Sequence, residues 1–351
     1  MRAMIIKEFR QMTRDRRTVA LMVGLPVMLL IVFGYAARFD VTNIDTIVLG
    51  PGAETAASAL DPVYDVIEID PTGDRAAAEQ TLRNAEANVA IVTGTGGPNQ
   101  LLIDGTELFV AQSALRRLPP GTMPEVLFNP NLDTATVMVP SLIGLILLFV
   151  GTVITSLGVV REREQGTMEQ LAVMPLRPID VTVGKIAPYF AVGVIDMAVI
   201  TLAGMWLFDV PFEGSVLLFA LFAVVFLFVV LGLGVAISTV SQSQGEAVQL
   251  AIMTLLPQIM LSGMIFPLES MAAGVRWIGY LLPLTWFIQG IRGIFLRGSD
   301  VSALIMPLGI LVAMAFVVFG VAMVRFRRDL APKRASAETV ETARKRAQVS
   351  A

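Results

Sequence analysis

Few side chains in this sequence could do covalent chemistry, and that scarcity narrows the function at once. The 351 residues contain no histidine and no cysteine. Thiol nucleophiles, thiolate or histidine metal centres and Ser-His-Asp hydrolysis are therefore excluded. The pair Gly184-Lys185 looks like the end of a phosphate-binding loop, which needs G-x-x-x-x-G-K-[ST] so that backbone amides and a lysine cradle phosphates. Ile186 follows the lysine, and Ile179 stands where the first glycine belongs. The chain is not expected to be an enzyme, to hold a metal or a cofactor, or to hydrolyse ATP unaided. Two features remain. One is Asp196, the only acidic side chain well inside an apolar segment. A carboxylate in hydrocarbon is costly and often marks a proton or ion path, although a polar contact between helices or a wet pathway also explains it. The other is the charged block "REREQGTMEQLAVMPLRP" at residues 161–178.

That block has a local logic. Gly166 weakens any helix arriving from the N-terminal side, and Thr167 followed by Gln170 fits a capping box. A short helix can start at Met168 and run to Met174, where Pro175 and Pro178 stop it. Met168, Leu171 and Ala172 then share one face, with Glu162, Glu164 and Glu169 at its entrance. A capped helix with a Met/Leu knob suits insertion into a groove on another protein. An ordinary loop held in water by its charges fits the periodicity equally well.

The elements around these residues belong to a membrane protein. Only 16% of the chain is charged and 55% is hydrophobic, whereas a soluble domain carries about 25% charge. Six segments approach the roughly 20 apolar residues needed to cross a bilayer: 18–37, 138–160, 186–208, 215–239, 248–266 and 302–324. Lys and Arg cluster before the first, after the last and between the second and third. The positive-inside rule thus makes both termini and the 161–178 block cytoplasmic. Trp206, Trp277 and Trp286 then fall near the outer headgroup level, which suits amphipathic rings.

The expected fold class is an α-helical polytopic membrane protein, with six transmembrane helices and a small α/β extracytoplasmic domain between spans one and two. Residues 1–17 form an amphipathic interface helix, with Ile5, Phe9 and Met12 on its apolar face. Residues 18–37 are the first span and 326–351 a basic cytoplasmic tail. Residues 38–137 alternate β-rich runs ("DTIVLG", "VYDVIEID", "NVAIVTG", "QLLIDG") with helix-prone runs, an α/β pattern. Residues 138–325 carry spans two to six, a short cytoplasmic helix near 164–175 and two outer re-entrant helices near 267–297, split by Pro283. Arg276, Arg292 and Arg297 in that last segment are expected to pair with acids or reach headgroups rather than bind substrate.

At these residues the chain resembles a known family, the permease subunits of type-2 ATP-binding-cassette (ABC) exporters. The resemblance rests on "REREQGTMEQLAVMPLRPIDVTVGKIAPY", on "LFNPNLDTATVMVPSLIG" leading into the second span, on "FPLESMAAGVRWIGYLLPLTWFIQGIRGIF", and on six spans with a large outer domain after the first. It implies a multi-pass protein of the bacterial inner or plasma membrane. It also implies a second permease chain, identical or related, and two ABC ATPase subunits that bind ATP and Mg. Glu164, Gly166, Thr167, Glu169, Gln170 and Leu171 would form the ATPase-coupling interface, with Ile5, Phe9 and Met12 as a second interface. The mainly aliphatic spans suit a hydrophobic or amphipathic cargo, such as a drug, antibiotic or lipid, and nucleic acid is not an expected partner. The competing expectation is a proton-coupled secondary transporter using Asp196 as a polar residue of the pathway.

Overall fold

The computed structural model describes residues 43–94, 98–165 and 178–330, with a few isolated positions ahead of them. The expected interface helix at 1–17 and expected span at 18–37, most of the short helix expected near 164–175, and all of the expected 326–351 tail from residue 331 onward lie outside the described residues, apart from those isolated positions.

The α/β domain expected on the outer side, called the outer domain below, forms because its aliphatic and β-branched runs cannot be satisfied alone. Strands β1 (Ile44–Leu49), β2 (Tyr64–Asp70), β3 (Val89–Val92), β4 (Asn99–Asp104) and β5 (Thr122–Leu127) make one five-stranded sheet in the order β2-β1-β3-β4-β5. β1 is parallel to β2 and to β3, β3 is antiparallel to β4, and β4 is parallel to β5. Side chains alternate along a strand, so β1 sends Ile44 and Val48 to one face and Ile47 and Leu49 to the other. Helices α1 (Ala53–Ser58) and α3 (Leu108–Arg116) cover the first face. Helix α2 (Arg75–Arg83) covers the second with Ala78 and Leu82. Coverage on both faces explains the near-continuous apolar runs. Asp74 caps α2 by accepting the Ala77 N–H at 2.9 Å. The sequence reading lacks β5, whose Pro124 argues against a strand; it pairs only with β4, at the sheet edge where proline is tolerated.

Beyond this domain the described residues are mainly helical. Among them, four stretches are long and apolar enough to cross a membrane: α4 (Thr134–Glu164), residues Ile186–Phe208 of α5 (Pro178–Phe208), α6 (Val216–Val240), and residues Val301–Val321 of α10 (Val301–Leu330). α6 is the central post, with 56% of its apolar window buried against 17% for α5 and for α10. It packs on α4 and on α10. The fifth expected span departs from its sequence boundaries. α7 occupies Gln244–Leu261 and stops before residue 266. Gly263 takes a left-handed conformation (φ 82°) just after the last turn and ends it. Eighteen residues reach about 27 Å, a little short of the roughly 30 Å hydrocarbon core.

Between α7 and α10 the chain folds into a 3-10 turn (Leu268–Ser270), α8 (Ala273–Tyr280), α9 (Pro283–Arg292) and a π-turn (Gly293–Arg297). Pro283 sits in the first turn of α9, where its missing N–H leaves no bond unmade. α9 is buried along most of its length and wedges against α4 and α6. Phe287 stacks on Phe226 with centroids 4.2 Å apart. Two glycines let the helices approach: a Cβ on Gly144 would lie 2.4 Å from the Phe287 ring, and one on Gly290 would lie 2.2 Å from Phe222. Trp286 is packed within the protein: it is only 7% exposed, and its Nε1–H donates to the Tyr280 carbonyl at 2.8 Å.

Gly290→Leu should destabilise the purified chain by about 1–3 kcal/mol, the usual range for overpacking. A thermal melt followed by tryptophan fluorescence checks this, and an unchanged midpoint would contradict the packing described.

Candidate functional site

Three places could carry function, and each is assembled from elements distant in sequence. At the end expected to be cytoplasmic, α4 runs without interruption to Glu164, and Gln165 caps it through an N–H bond to the Arg161 carbonyl. Its last turn is clasped to the α6–α7 turn. Arg163 Nη1 donates to the Ser241 carbonyl at 3.1 Å, a favourable place for a cation because Ser241 ends α6. Both oxygens of Glu164 accept from Gln244, at 3.1 Å from the backbone N–H and 2.6 Å from the side-chain amide. Ser243 accepts the Glu246 N–H at 3.2 Å, while Glu246 reaches back to the Gln242 N–H at 2.6 Å. The Ser-x-x-Glu spacing of this second capping motif is visible in "SQSQGEAVQ", but the sequence reading passed over it. Glu164 is thus engaged inside the chain. Gly166, Thr167, Glu169, Gln170 and Leu171 lie outside the described residues, as do Ile5, Phe9 and Met12.

Asp196 lies half-buried on α5, facing a groove between α4, α5 and α6 lined by Gly151, Thr155, Tyr189, Gly193 and Leu227. Among the described residues its carboxyl has no hydrogen-bond or ion-pair partner. The buried Thr155 hydroxyl beside it also lacks one. The groove holds about 20 Å³ of free volume, room for one water and not for a cargo molecule.

The third place is the junction between the outer domain and the helices. Arg297 Nη1 lies 3.0 Å from Asp104 Oδ2 and 3.0 Å from Thr106 Oγ1. The pair is deeply enclosed, with side-chain exposures of 6% and 1%. Arg292 Nη1 lies 2.9 Å from Glu107 Oε1, and its Nη2 donates to the Gly263 carbonyl. Arg83 of α2 donates to the Arg297 carbonyl at 2.7 Å, and Gln80 donates to Asp300 at 2.6 Å. Arg276 donates to the Glu269 carbonyl at 2.6 Å. Arg292 and Arg297 thus pair with acids, as expected, whereas the bond shown for Arg276 goes to a backbone carbonyl. Burial, with nearby Glu107 adding to it, pushes the Glu269 carboxyl above its ordinary range, against the opposing pull of its backbone N–H and Arg276.

A bundle of helices long and apolar enough to cross a membrane, with an α/β domain fastened to one end, is the architecture of a multi-pass membrane protein. The model of the ABC-2 family transporter protein matches residues 16–324, and the chain belongs to that family. Its relatives include the probable multidrug ABC transporter permease YbhS of Escherichia coli K12, 29% identical over 94% of this chain and 97% of YbhS. YbhR of the same strain, also described as a probable multidrug ABC transporter permease, is 29% identical over 93% of this chain and 98% of its own. ABC transporter G family member 20 of Dictyostelium discoideum is 29% identical over 56% of this chain, covering 27% of that longer protein. None of these names points to a proton-coupled carrier.

Arg297→Gln leaves Asp104 buried without its cation and should cost about 3–5 kcal/mol. Faster hydrogen exchange at the ends of β4 and α2 would report the loss, and the double variant Arg297→Met/Asp104→Leu should recover most of it. Glu269 gives a pH-dependent expectation. A raised folded-state pKa makes a contribution that is full below the ordinary value of 4.5 and is lost as pH rises through the folded-state value. Glu269→Gln should therefore be more thermostable than the parent at neutral pH, with the gap closing as pH falls toward 4.5. Parallel pH profiles of the two proteins would count against the assignment.

Proposed function

We propose that this chain is the transmembrane permease subunit of an ABC exporter. In this reading it crosses a bacterial inner or plasma membrane six times, with both termini in the cytoplasm. It pairs with a second permease chain and is driven by two separate ATPase subunits that carry ATP and Mg. The family membership supports the class, and the cytoplasmic clasp is the observation that carries the mechanism. Arg163 and Glu164 tie the last turn of α4 to Ser241 and Gln244. A push on the adjoining 166–177 segment therefore acts on α4, α6 and α7 together. Gly166, Thr167, Glu169, Gln170 and Leu171 are proposed as the ATPase contact, with Leu171 filling a groove and Ile5, Phe9 and Met12 adding a second surface. Glu164 serves this contact by positioning it, since its carboxylate already holds Gln244.

The proposed cargo is a hydrophobic or amphipathic compound. The groove at Asp196 is too small for it, so passage between two permease chains fits better than passage through one. The exposed apolar residues of α5, including Ile195, Val199 and Leu202, offer a surface for such a pathway or for lipid.

Co-purification with a candidate ATPase and measurement of ATP turnover test the proposal. Leu171→Asp should leave the chain in the membrane but weaken ATPase association by about tenfold or more, some 1.4 kcal/mol. The proposal fails if no ATPase associates and a proton gradient alone drives transport.

A further inference from the structure

We propose that the outer domain is itself a ligand-binding module, with a crevice that takes an uncharged, amphipathic small molecule bearing hydroxyl or carbonyl groups. The inference rests on the geometry of this domain alone and stands whether or not the chain is an exporter.

The topology makes the crevice. Strand order turns around at β1, which has β2 on one side and β3 on the other. β1 and β3 are adjacent and parallel, and the residues that follow them, Pro51 and Gly52 after β1 and Thr93 and Gly94 after β3, line a gap at their carboxyl ends. The carboxyl ends of parallel strands are where α/β sheets commonly bind small molecules. The gap here is a cavity of about 320 Å³, within the size range of small-ligand sites. Its floor is fixed. The buried Thr93 hydroxyl lies 2.9 Å from both the Leu49 and the Pro51 carbonyls. Gly50, at φ 94°, comes so close to Thr93 that a Cβ would lie 2.3 Å from its carbonyl oxygen.

The lining selects the chemistry. Ala56, Leu60, Ile91 and Pro119 supply an apolar wall, and Thr55, Asn99 and Thr122 supply polar groups. The Asn99 side-chain amide and the Thr55 hydroxyl make no hydrogen bond among the described residues, so both can serve a ligand. No charged side chain lines the described cavity. An ionised ligand would be desolvated there without a counter-charge, whereas a neutral one with an apolar face would not suffer that penalty.

The position of the crevice separates it from the junction. β4 runs antiparallel to β3, so Asn99 lies at the crevice end of the sheet and Asp104 at the other end, where Arg297 holds it. The crevice accordingly faces away from the membrane helices, toward the aqueous outer side.

The test uses the full chain in lipid nanodiscs, with empty discs as the blank and saturation-transfer NMR as the readout. The uncharged probe is 4-nitrophenyl β-glucoside, which joins an apolar ring to hydroxyl groups; the charged counterpart is 4-nitrophenyl phosphate. The glucoside should bind with a Kd of about 1 mM or tighter and the phosphate at least about tenfold more weakly. Ala59→Trp, which fills the exposed edge of the crevice, and Asn99→Ala, which removes an amide, should each weaken the glucoside about tenfold. The proposal is overturned by absent transfer from the glucoside in the parent protein, by equal transfer in both variants, or by equal binding of the phosphate.

Discussion

The buried pair Arg297–Asp104 is the contact on which the arrangement of the two halves depends. Two charges removed from water must satisfy one another, because an unpaired one would carry a large desolvation penalty. The geometry meets that demand with more than one bond. Asp104 also accepts the Thr106 N–H at 2.8 Å through its second oxygen, and Arg297 reaches the Thr106 hydroxyl. The same turn carries Glu107, which holds Arg292. One short loop after β4 thus meets both cations of the α9 and π-turn segment, so the outer domain is positioned from its sheet rather than from a flexible tether.

The helices below obey a different constraint. In a bilayer, burying apolar side chains between helices gains little over leaving them in lipid, so close fit and small residues carry the association. The glycines at 144 and 290 bring α9 against α4 and α6. The Phe212, Phe219 and Phe295 rings meet edge to face at 4.7–6.1 Å and close the outer end around the π-turn. The segment that carries Arg292 and Arg297 is therefore held rigidly from the membrane side before it meets the outer domain. Electrostatics above and packing below act on the same stretch of chain.

Much of this was legible in the sequence where local composition decides the outcome. The β1 to β4 runs are rich in Val, Ile and Leu, and that composition marks them as strands. β5 was not legible because Pro124 breaks the local preference and only its neighbour β4 restores it. The end of α7 was not legible because apolar residues continue to Phe266 while the Gly263 backbone turns away. Asp196 was visible as a lone carboxylate, but the narrowness of its groove comes from Tyr189, Thr155 and Leu227 on three helices. The arginine clamp shows the limit most clearly. Arg297 and Asp104 are 193 residues apart, and no spacing rule couples them; only the acidic character of one segment and the basic character of the other hinted at pairing. The proposed coupling residues between Gly166 and Leu171 were read from a motif and a capping pattern, which suggest chemistry but not geometry.

α4 joins these separate constraints. Asn129 ties its N-terminus to the outer domain: its side-chain amide donates to Gly105 and Asp133 carbonyls at 3.2 and 3.1 Å, and its oxygen accepts the Asp133 N–H at 3.0 Å. Gly105 adjoins Asp104, so the helix starts beside the arginine clamp. Its C-terminus ends at Glu164 in the clasp with Gln244. Thirty-one residues separate these points in one continuous helix, about 46 Å at helical rise. Its only internal proline, Pro140, lies in the outer part and marks where a bend is least costly. In the proposed exporter, a displacement applied at Glu164 would reach the junction along this one continuous helix, while the clamp holds sheet and bundle together. The α/β domain would then move with the top of α4 rather than independently.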